Sequence, residues 1–249
     1  MHHFEPLNKF FDKIFVITLE RSTNRQEHIN EALNGLNYQF FFGADKHNLS
    51  LEELRDKNIY NETLAIRHHR YSKPMNAGQI GCALSHKYLY QEIITNEYNR
   101  TLILEDDVEP INESLQLFPE IINELPEAWE LLYFDYSKNE KPRYLKRYWY
   151  HLQKAIGRLK KSHTVISNLY PKNFGKHISI AGFHDYTDAY ALTLSGAKKL
   201  MELQSPVSYV ADNLLAIASA SKKINSFISH PKLFTQLSQG ESSSFDSLL

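Results

Sequence analysis

Residues 101–110 read TLILEDDVEP, so a short, mostly apolar, strand-forming run leads straight into Glu105, Asp106 and Asp107. Carboxylates are poor strand formers, and three in succession repel one another unless something positive lies close by. A hard divalent cation such as Mn²⁺ or Mg²⁺ takes oxygen ligands of this kind, commonly one or two carboxylates together with substrate phosphates. Along an extended chain Glu105 and Asp107 point one way and Asp106 the other. The cluster can therefore divide its work: one carboxylate accepts from a sugar or ribose hydroxyl while another holds the metal. That chemistry suits group transfer from a nucleotide-activated donor, where a departing diphosphate needs its charge neutralised. Standing alone, the triplet reads equally well as a solvated acidic turn.

The elements around the triplet are those of an α/β protein. Residues 13–19 (KIFVITL) form an apolar, β-branched run that predicts a first strand. A helix follows, with Ser22 or Thr23 as its cap, Gln26 completing a capping box with Thr23, and Gly35 at its end. Residues 38–45 predict a second strand, and strand–helix–strand at this spacing implies a parallel sheet. Residues 46–75 are polar, with a helix expected at 49–57 and a basic, turn-like stretch at 67–74, where His68 and His69 point apart as neighbours do. A long helix is expected over 76–96, then the strand that carries the acidic triplet, ended by Pro110. Beyond it, the pattern predicts helix around Pro119, strand at 129–137, strand at 188–194, helix at 195–203 capped by Ser195, helix at 207–220, a strand at 224–236 broken by Pro231, and a loose tail at 240–249. In open α/β sheets ligands bind at the carboxyl ends of the parallel strands, which is where the triplet lies.

The 249 residues, 42% hydrophobic and 12% aromatic with a net charge of -1, suit a single large α/β domain and exclude a disordered or collagen-like chain. The one cysteine, Cys82, excludes an internal disulfide and sits in an apolar helical run, where a small core residue is expected. No run is long enough to be a membrane span and no secretory signal is recognised, so a cytoplasmic location is expected. Residues 138–176 differ sharply from the rest: they hold eleven Lys/Arg against one Glu, interleaved with Tyr144, Tyr148, Trp149 and Tyr150. This segment reads either as a solvated insertion or helical hairpin, or as a surface for something anionic, whether lipid headgroup, charged glycan or nucleic acid. Near-neutral overall charge and the lack of a binding motif disfavour nucleic acid.

Six blocks carry a resemblance. In order they are FVITLERSTNR, GQIGCALSH, LILEDD, DAYALTLSGAKKL, SPVSYVADNLL and PKLFTQ. Together they resemble glycosyltransferase family 25, bacterial lipopolysaccharide and lipooligosaccharide glycosyltransferases related to collagen galactosyltransferase domains. The resemblance runs over roughly residues 13–243, with Thr18 where the family usually has Asn and Gln79 where it has Glu; 138–177 has no counterpart in it.

The resemblance implies a GT-A type fold, a Rossmann-like α/β/α sandwich with a mixed, mostly parallel sheet, and a nucleotide-sugar donor. It implies Asp107 as metal ligand for Mn²⁺ or Mg²⁺, with Glu105 or Asp106 on donor hydroxyls, and Arg21, Arg25, Ser85 and His86 in the nucleotide or diphosphate site. His184, His230 or Gln236 would supply a third ligand. Transfer with inversion needs a base for the acceptor hydroxyl, for which Asp212 is the first candidate and Asp188 the second, with Asp185 also in range. Galactose from UDP-galactose is the donor expected first, and a lipopolysaccharide-type glycan the acceptor; peripheral contact of 141–161 with an anionic membrane at the inner face is a further expectation. Three rivals stand beside this: a nucleotidyltransferase, disfavoured because FVITLERSTNR holds no glycine for a phosphate loop; a catalytically inactive glycan-binding or nucleotide-sugar-binding scaffold; and a nucleic-acid binder.

Overall fold

The computed structural model describes residues 3–69 and 72–237, and the expected tail at 240–249 lies outside them. The chain begins with α1 (Glu5–Phe10), β1 (Lys13–Thr18), α2 (Thr23–Ala32) and β2 (Gln39–Phe42), then a 3₁₀ turn (Lys46–Asn48), α3 (Leu51–Asp56), α4 (Glu62–His68) and α5 (Ala77–Thr95). Next come β3 (Arg100–Glu105), β4 (Val108–Pro110), α6 (Asn112–Leu115), α7 (Phe118–Asn123), β5 (Leu131–Tyr133), α8 (Tyr144–Ala155) and α9 (His163–Ser167). The last elements are β6 (Lys172–Asn173), β7 (Ile178–Ile180), β8 (Ala189–Thr193), α10 (Leu194–Leu203), α11 (Ala211–Ala220), β9 (Ser226–Ser229) and β10 (Phe234–Gln236).

Eight strands form one sheet in the order β2-β1-β3-β8-β5-β9-β7-β6. β1 is parallel to β2 and β3, and β5 to β9, while β8 runs antiparallel between β3 and β5 and β7 antiparallel between β9 and β6. Every strand but β7 and β8 therefore points the same way, which gives the expected mixed, mostly parallel sheet. Alternation along each strand feeds two cores. Ile14, Val16, Leu102 and Leu104 pack with Ile29 of α2, with Leu33 at its C-cap, and with Phe118 and Ile121 of α7. Phe15, Ile17 and Ile103 pack on the opposite face with Leu89, Tyr90 and Ile93 of α5 and Leu200 of α10. Helices thus cover both faces. Leu102, Ile103 and Leu104 have no exposed surface, and at roughly 1.5–3 kcal/mol for each buried side chain they anchor a strand that ends in charge.

Several local expectations are corrected by the structure. Pro110 does not end the acidic strand; a turn at Asp106 and Asp107 does, and Pro110 sits in β4, paired antiparallel with β10. Thr193, not Ser195, caps α10 by accepting from the Gly196 amide, and Ser195 Oγ donates instead to Glu130. The Thr23–Gln26 capping box is not formed, since the helix is entered from Ser22 and Gln26 donates to the Leu19 carbonyl. A helix not expected from the sequence spans Glu62–His68 and takes in the first two residues of the stretch read as turn-like, and the His68 ring stacks on Tyr209 at 3.9 Å between centroids. α5 does carry a capping box, between Asn76 and Gln79, so Gln79 fills the N3 role that Glu would. The predicted helix at 207–220 begins only at Ala211.

Candidate active site

β1, β3 and β5 end, and β8 begins, at one edge of the sheet. The Glu105 amide donates to the Asp188 carbonyl at 2.9 Å, so strand pairing itself sets these two residues side by side. Asp188 reaches the edge because β8 is reversed; the sequence predicts the strand but not its direction.

Glu105 continues the face of Ile103, towards α5. Its Oε1 lies 3.3 Å from His86 Nε2 and accepts from Thr187 Oγ1. His86 is buried, and its Nδ1 is 2.7 Å from Tyr190 Oη, which is 3.3 Å from Tyr90 Oη. One proton arrangement satisfies the whole chain: Tyr90 donates to Tyr190, Tyr190 to Nδ1, and Nε2–H to Glu105. Burial opposes ionisation of Glu105, but His86, Thr187 and Arg25 outweigh it and hold the carboxyl below its usual range.

Asp106 turns to the other face, as alternation requires. Both its oxygens are engaged: Thr18 Oγ1 donates to Oδ2 at 2.6 Å and Arg25 Nη1 to Oδ1 at 2.6 Å. Asp107 returns to the Glu105 side. Gln236 Nε2 donates to its Oδ2 at 3.2 Å and Arg25 Nη1 stands 3.6 Å from the same atom, while Oδ1 is buried with no partner among the described residues. Asp188 Oδ2 is likewise buried and unpartnered. Ligand oxygens of Glu105, Asp107 and Asp188 lie within 4.8 Å of one another. Burial, then repulsion from Glu105, pushes the Asp107 carboxyl up to about 6. Burial and the surrounding carboxylates of Glu105, Asp107, Asp135 and Asp212 push Asp188 up to about 10. Such a set of converging oxygens, two of them orphaned, fits a hard cation.

The remaining candidates fall in different places. Asp212 lies in the first turn of α11, its carboxyl raised by burial and by Glu105. Asp185 is paired with Lys138. Arg21 bonds Asp45 beyond the end of β2 rather than the acidic turn. Ser85 accepts from the Ala44 amide at 2.9 Å and donates to the Gly81 carbonyl at 2.8 Å, which ties α5 to the loop after β2. Of the three proposed further ligands, Gln236 reaches the cluster. His230 has both ring nitrogens occupied, by Tyr136 at 2.9 Å and Ser179 at 3.1 Å. His184 faces the Lys138 carbonyl at 2.9 Å, and burial lowers it to about 4. The Cys82 thiol comes close to His86 and Glu105, and burial and the nearby carboxylates hold it well above its usual range, which disfavours the thiolate.

Sequence reasoning missed Asp135, Thr187 and the partner role of Thr18. Asp135 is buried just past β5, with Oδ1 3.3 Å from Lys232 Nζ and Oδ2 unpartnered among the described residues. Its signal was present: LLYFD, like LILED, is an apolar strand running into a carboxylate.

These features define a class, an α/β/α domain with a mixed, mostly parallel sheet and an acidic centre at the carboxyl edge of that sheet. Residues 11–215 match glycosyltransferase family 25 (LPS biosynthesis protein), and the chain belongs to that family. It is 27% identical over 229 residues to a glycosyltransferase 25 family member of Aedes aegypti, covering 88% of this chain and 33% of that one. It is 26% identical over 197 residues to procollagen galactosyltransferase 2 of Mus musculus, covering 77% and 27%. A human relative named inactive glycosyltransferase 25 family member 3 is 26% identical over 200 residues, covering 78% and 29%. The chain thus spans a third or less of the length of these relatives.

Proposed function

We propose that the domain transfers a sugar, galactose from UDP-galactose first, from a nucleotide-sugar donor to a hydroxyl of a glycan acceptor such as a lipopolysaccharide or lipooligosaccharide, with inversion. The observation that carries this reading is the convergence of Glu105, Asp107 and Asp188 with two buried, unpartnered carboxylate oxygens. The all-oxygen set fits Mn²⁺ or Mg²⁺. Bound there, the cation supplies charge neutralisation for the departing diphosphate. The galactose reading is supported by the name of the mouse relative, and the acceptor class by the family's description.

The chain's own residues have distinct parts in this reading. Asp107 and Asp188 hold the cation with Glu105, whose carboxylate is aimed by His86 and Thr187. Asp106, saturated by Thr18 and Arg25, is a positioning residue that fixes the turn. Arg21, its side chain 38% exposed, is left to meet the nucleotide. The acceptor oxygen forms its bond to the anomeric carbon as the bond to the diphosphate oxygen breaks, and the acceptor's proton passes to Asp212. Asp212 suits this part because it stands outside the converging trio and burial raises its carboxyl above the usual range, which makes it the stronger base.

The human relative's name favours a second reading, a non-catalytic domain that binds a nucleotide sugar or glycan. A thermal-shift panel of UDP-galactose, UDP-glucose, UDP-N-acetylglucosamine, UDP and GDP-mannose, with and without Mn²⁺, followed by a UDP-release assay, separates the two. A ligand at a hundredfold excess over its Kd stabilises by about 2.7 kcal/mol, a shift of roughly 5–10 °C for this size. A metal-dependent shift abolished by Asp107→Ala, together with UDP release, supports the transferase. A shift without turnover on any glycan supports the binding domain, and no shift with any donor rejects the transferase and nucleotide-sugar binding alike, leaving only binding of a glycan.

A further inference from the structure

α8 is amphipathic in the opposite sense to a helix that packs on a soluble domain. Its apolar side chains form one stripe facing solvent: Tyr144 is 67% exposed, Leu145 89%, Tyr148 66%, Trp149 56%, Leu152 43% and the capping residue Ile156 64%. The side towards the body is the half-buried row of Arg147, Tyr150, His151 and Lys154, and no residue of the helix is fully buried. Tyr150 holds α8 to the body by packing with Val165, Ile166 and their neighbours. Hydrophobic packing among the described residues does not account for the outward stripe, which leaves it to an external apolar phase.

Charge identifies that phase. Lys138, Lys141, Arg143 and Lys146, against the single acid Glu140, line an open cleft of about 400 Å³ around the start of α8. The eleven cations of 138–176 face a single acid in that segment, leaving 17 Lys/Arg and 28 Asp/Glu for the rest of the chain. Charge is therefore divided along the chain, between a cationic, aromatic segment that contains α8 and an acidic remainder. Two such segments brought together in a symmetric dimer would oppose like charge to like. Among the described residues no helix is long and apolar enough to cross a membrane, so contact would lie in the plane of the surface.

We propose that α8 docks the domain on an anionic membrane surface, its Tyr, Trp and Leu side chains entering the interfacial zone and the flanking Lys and Arg pairing with headgroup phosphates. Such docking would hold the acidic site near lipid-borne glycans, but the inference does not depend on catalysis.

The test is co-sedimentation of the full chain with phosphatidylcholine vesicles, with and without phosphatidylglycerol, read together with the emission of Trp149. Binding is expected with the anionic vesicles alone, weakening as salt rises, with a blue shift that Trp149→Phe removes. Leu145→Ser/Trp149→Ser should weaken binding at least about tenfold, and Lys141→Gln/Lys146→Gln roughly fivefold for each cation removed. All four side chains are exposed, so the unfolding midpoint should stay unchanged. Absence of binding, equal binding to neutral vesicles, or binding indifferent to both double variants would overturn the proposal. So would a vesicle-free dimer that Leu145→Ser/Trp149→Ser disperses, which would give the face to a second copy of the chain.

Discussion

Arg25 and Asp106 are 81 residues apart in sequence, and their side chains meet at 2.6 Å. With Thr18 on the other carboxylate oxygen, the pair fastens the end of β1 and the first turns of α2 to the acidic turn after β3. The two side chains are only 18% and 11% exposed, so solvent screens the pair weakly. Arg25→Met would leave a buried carboxylate beside Asp107 without its cation, and should cost about 3–5 kcal/mol. Asp106→Asn keeps a partner for Thr18 and removes a charge, and should cost about 1–2 kcal/mol. Urea unfolding measures both. Equal losses would mean that the uncompensated charge is not the dominant effect.

A second prediction concerns pH in the absence of metal. Asp188 is pushed up to about 10, so the folded protein retains a proton that the unfolded chain releases near 3.8. The folded state binds more protons across that window, and stability therefore falls as pH rises through it. The slope is at most about 1.4 kcal/mol per pH unit. Asp107 acts in the same direction, but it is pushed up only to about 6 and has finished titrating by roughly pH 7.5. Above that pH, in EDTA, the unfolding midpoint of the wild type should decline relative to Asp188→Asn, and added Mn²⁺ should flatten the decline. Parallel pH profiles for the two proteins would exclude Asp188 as its source.

What the sequence revealed of this site follows from what is local. The opposite facing of Glu105 and Asp106 is a property of any extended chain, and it holds: one meets His86, the other Arg25. The α/β class is equally local, since strand and helix periods alternate in order. The reversal of β8 is set by pairing with β3 and β5, which no stretch of 188–194 encodes by itself, and only that reversal brings Asp188 to Glu105. Thr187 reaches Glu105 from 82 residues away for the same reason. Asp135 was passed over because its strand is three residues long and its carboxylate stands alone. The exposed face of α8 was legible as composition, but its outward direction depends on which side Tyr150 packs.

Gly81 offers a test of packing near the site. What approaches it is backbone: a Cβ on Gly81 would lie 2.7 Å from the Ala44 carbonyl oxygen. Gly81→Ala should therefore cost about 1–3 kcal/mol through overpacking. Ser85→Ala, which strips a part-buried bond from the Ala44 amide, should cost about 1–2 kcal/mol. Because both act on Ala44, the double variant should lose less than the sum of the two. Additive losses in thermal or urea unfolding would show that the two contacts are independent.

The last prediction separates chemistry from binding. Asp212 stands at the start of α11, within electrostatic reach of Glu105 and His86 but outside the converging trio. If it takes the acceptor's proton, Asp212→Asn should lower kcat by about 10²–10⁴ while the metal-dependent thermal shift with donor stays unchanged. Asp188→Asn should do the reverse first, weakening the metal-dependent shift, because it removes one of the oxygens offered to the cation. Turnover is read as UDP release with acceptor present, and donor binding as the shift without it. Loss of the donor shift in Asp212→Asn would move that residue into the binding site. Wild-type turnover in the same variant would pass the role of base to another carboxylate, with Asp188 the first to examine.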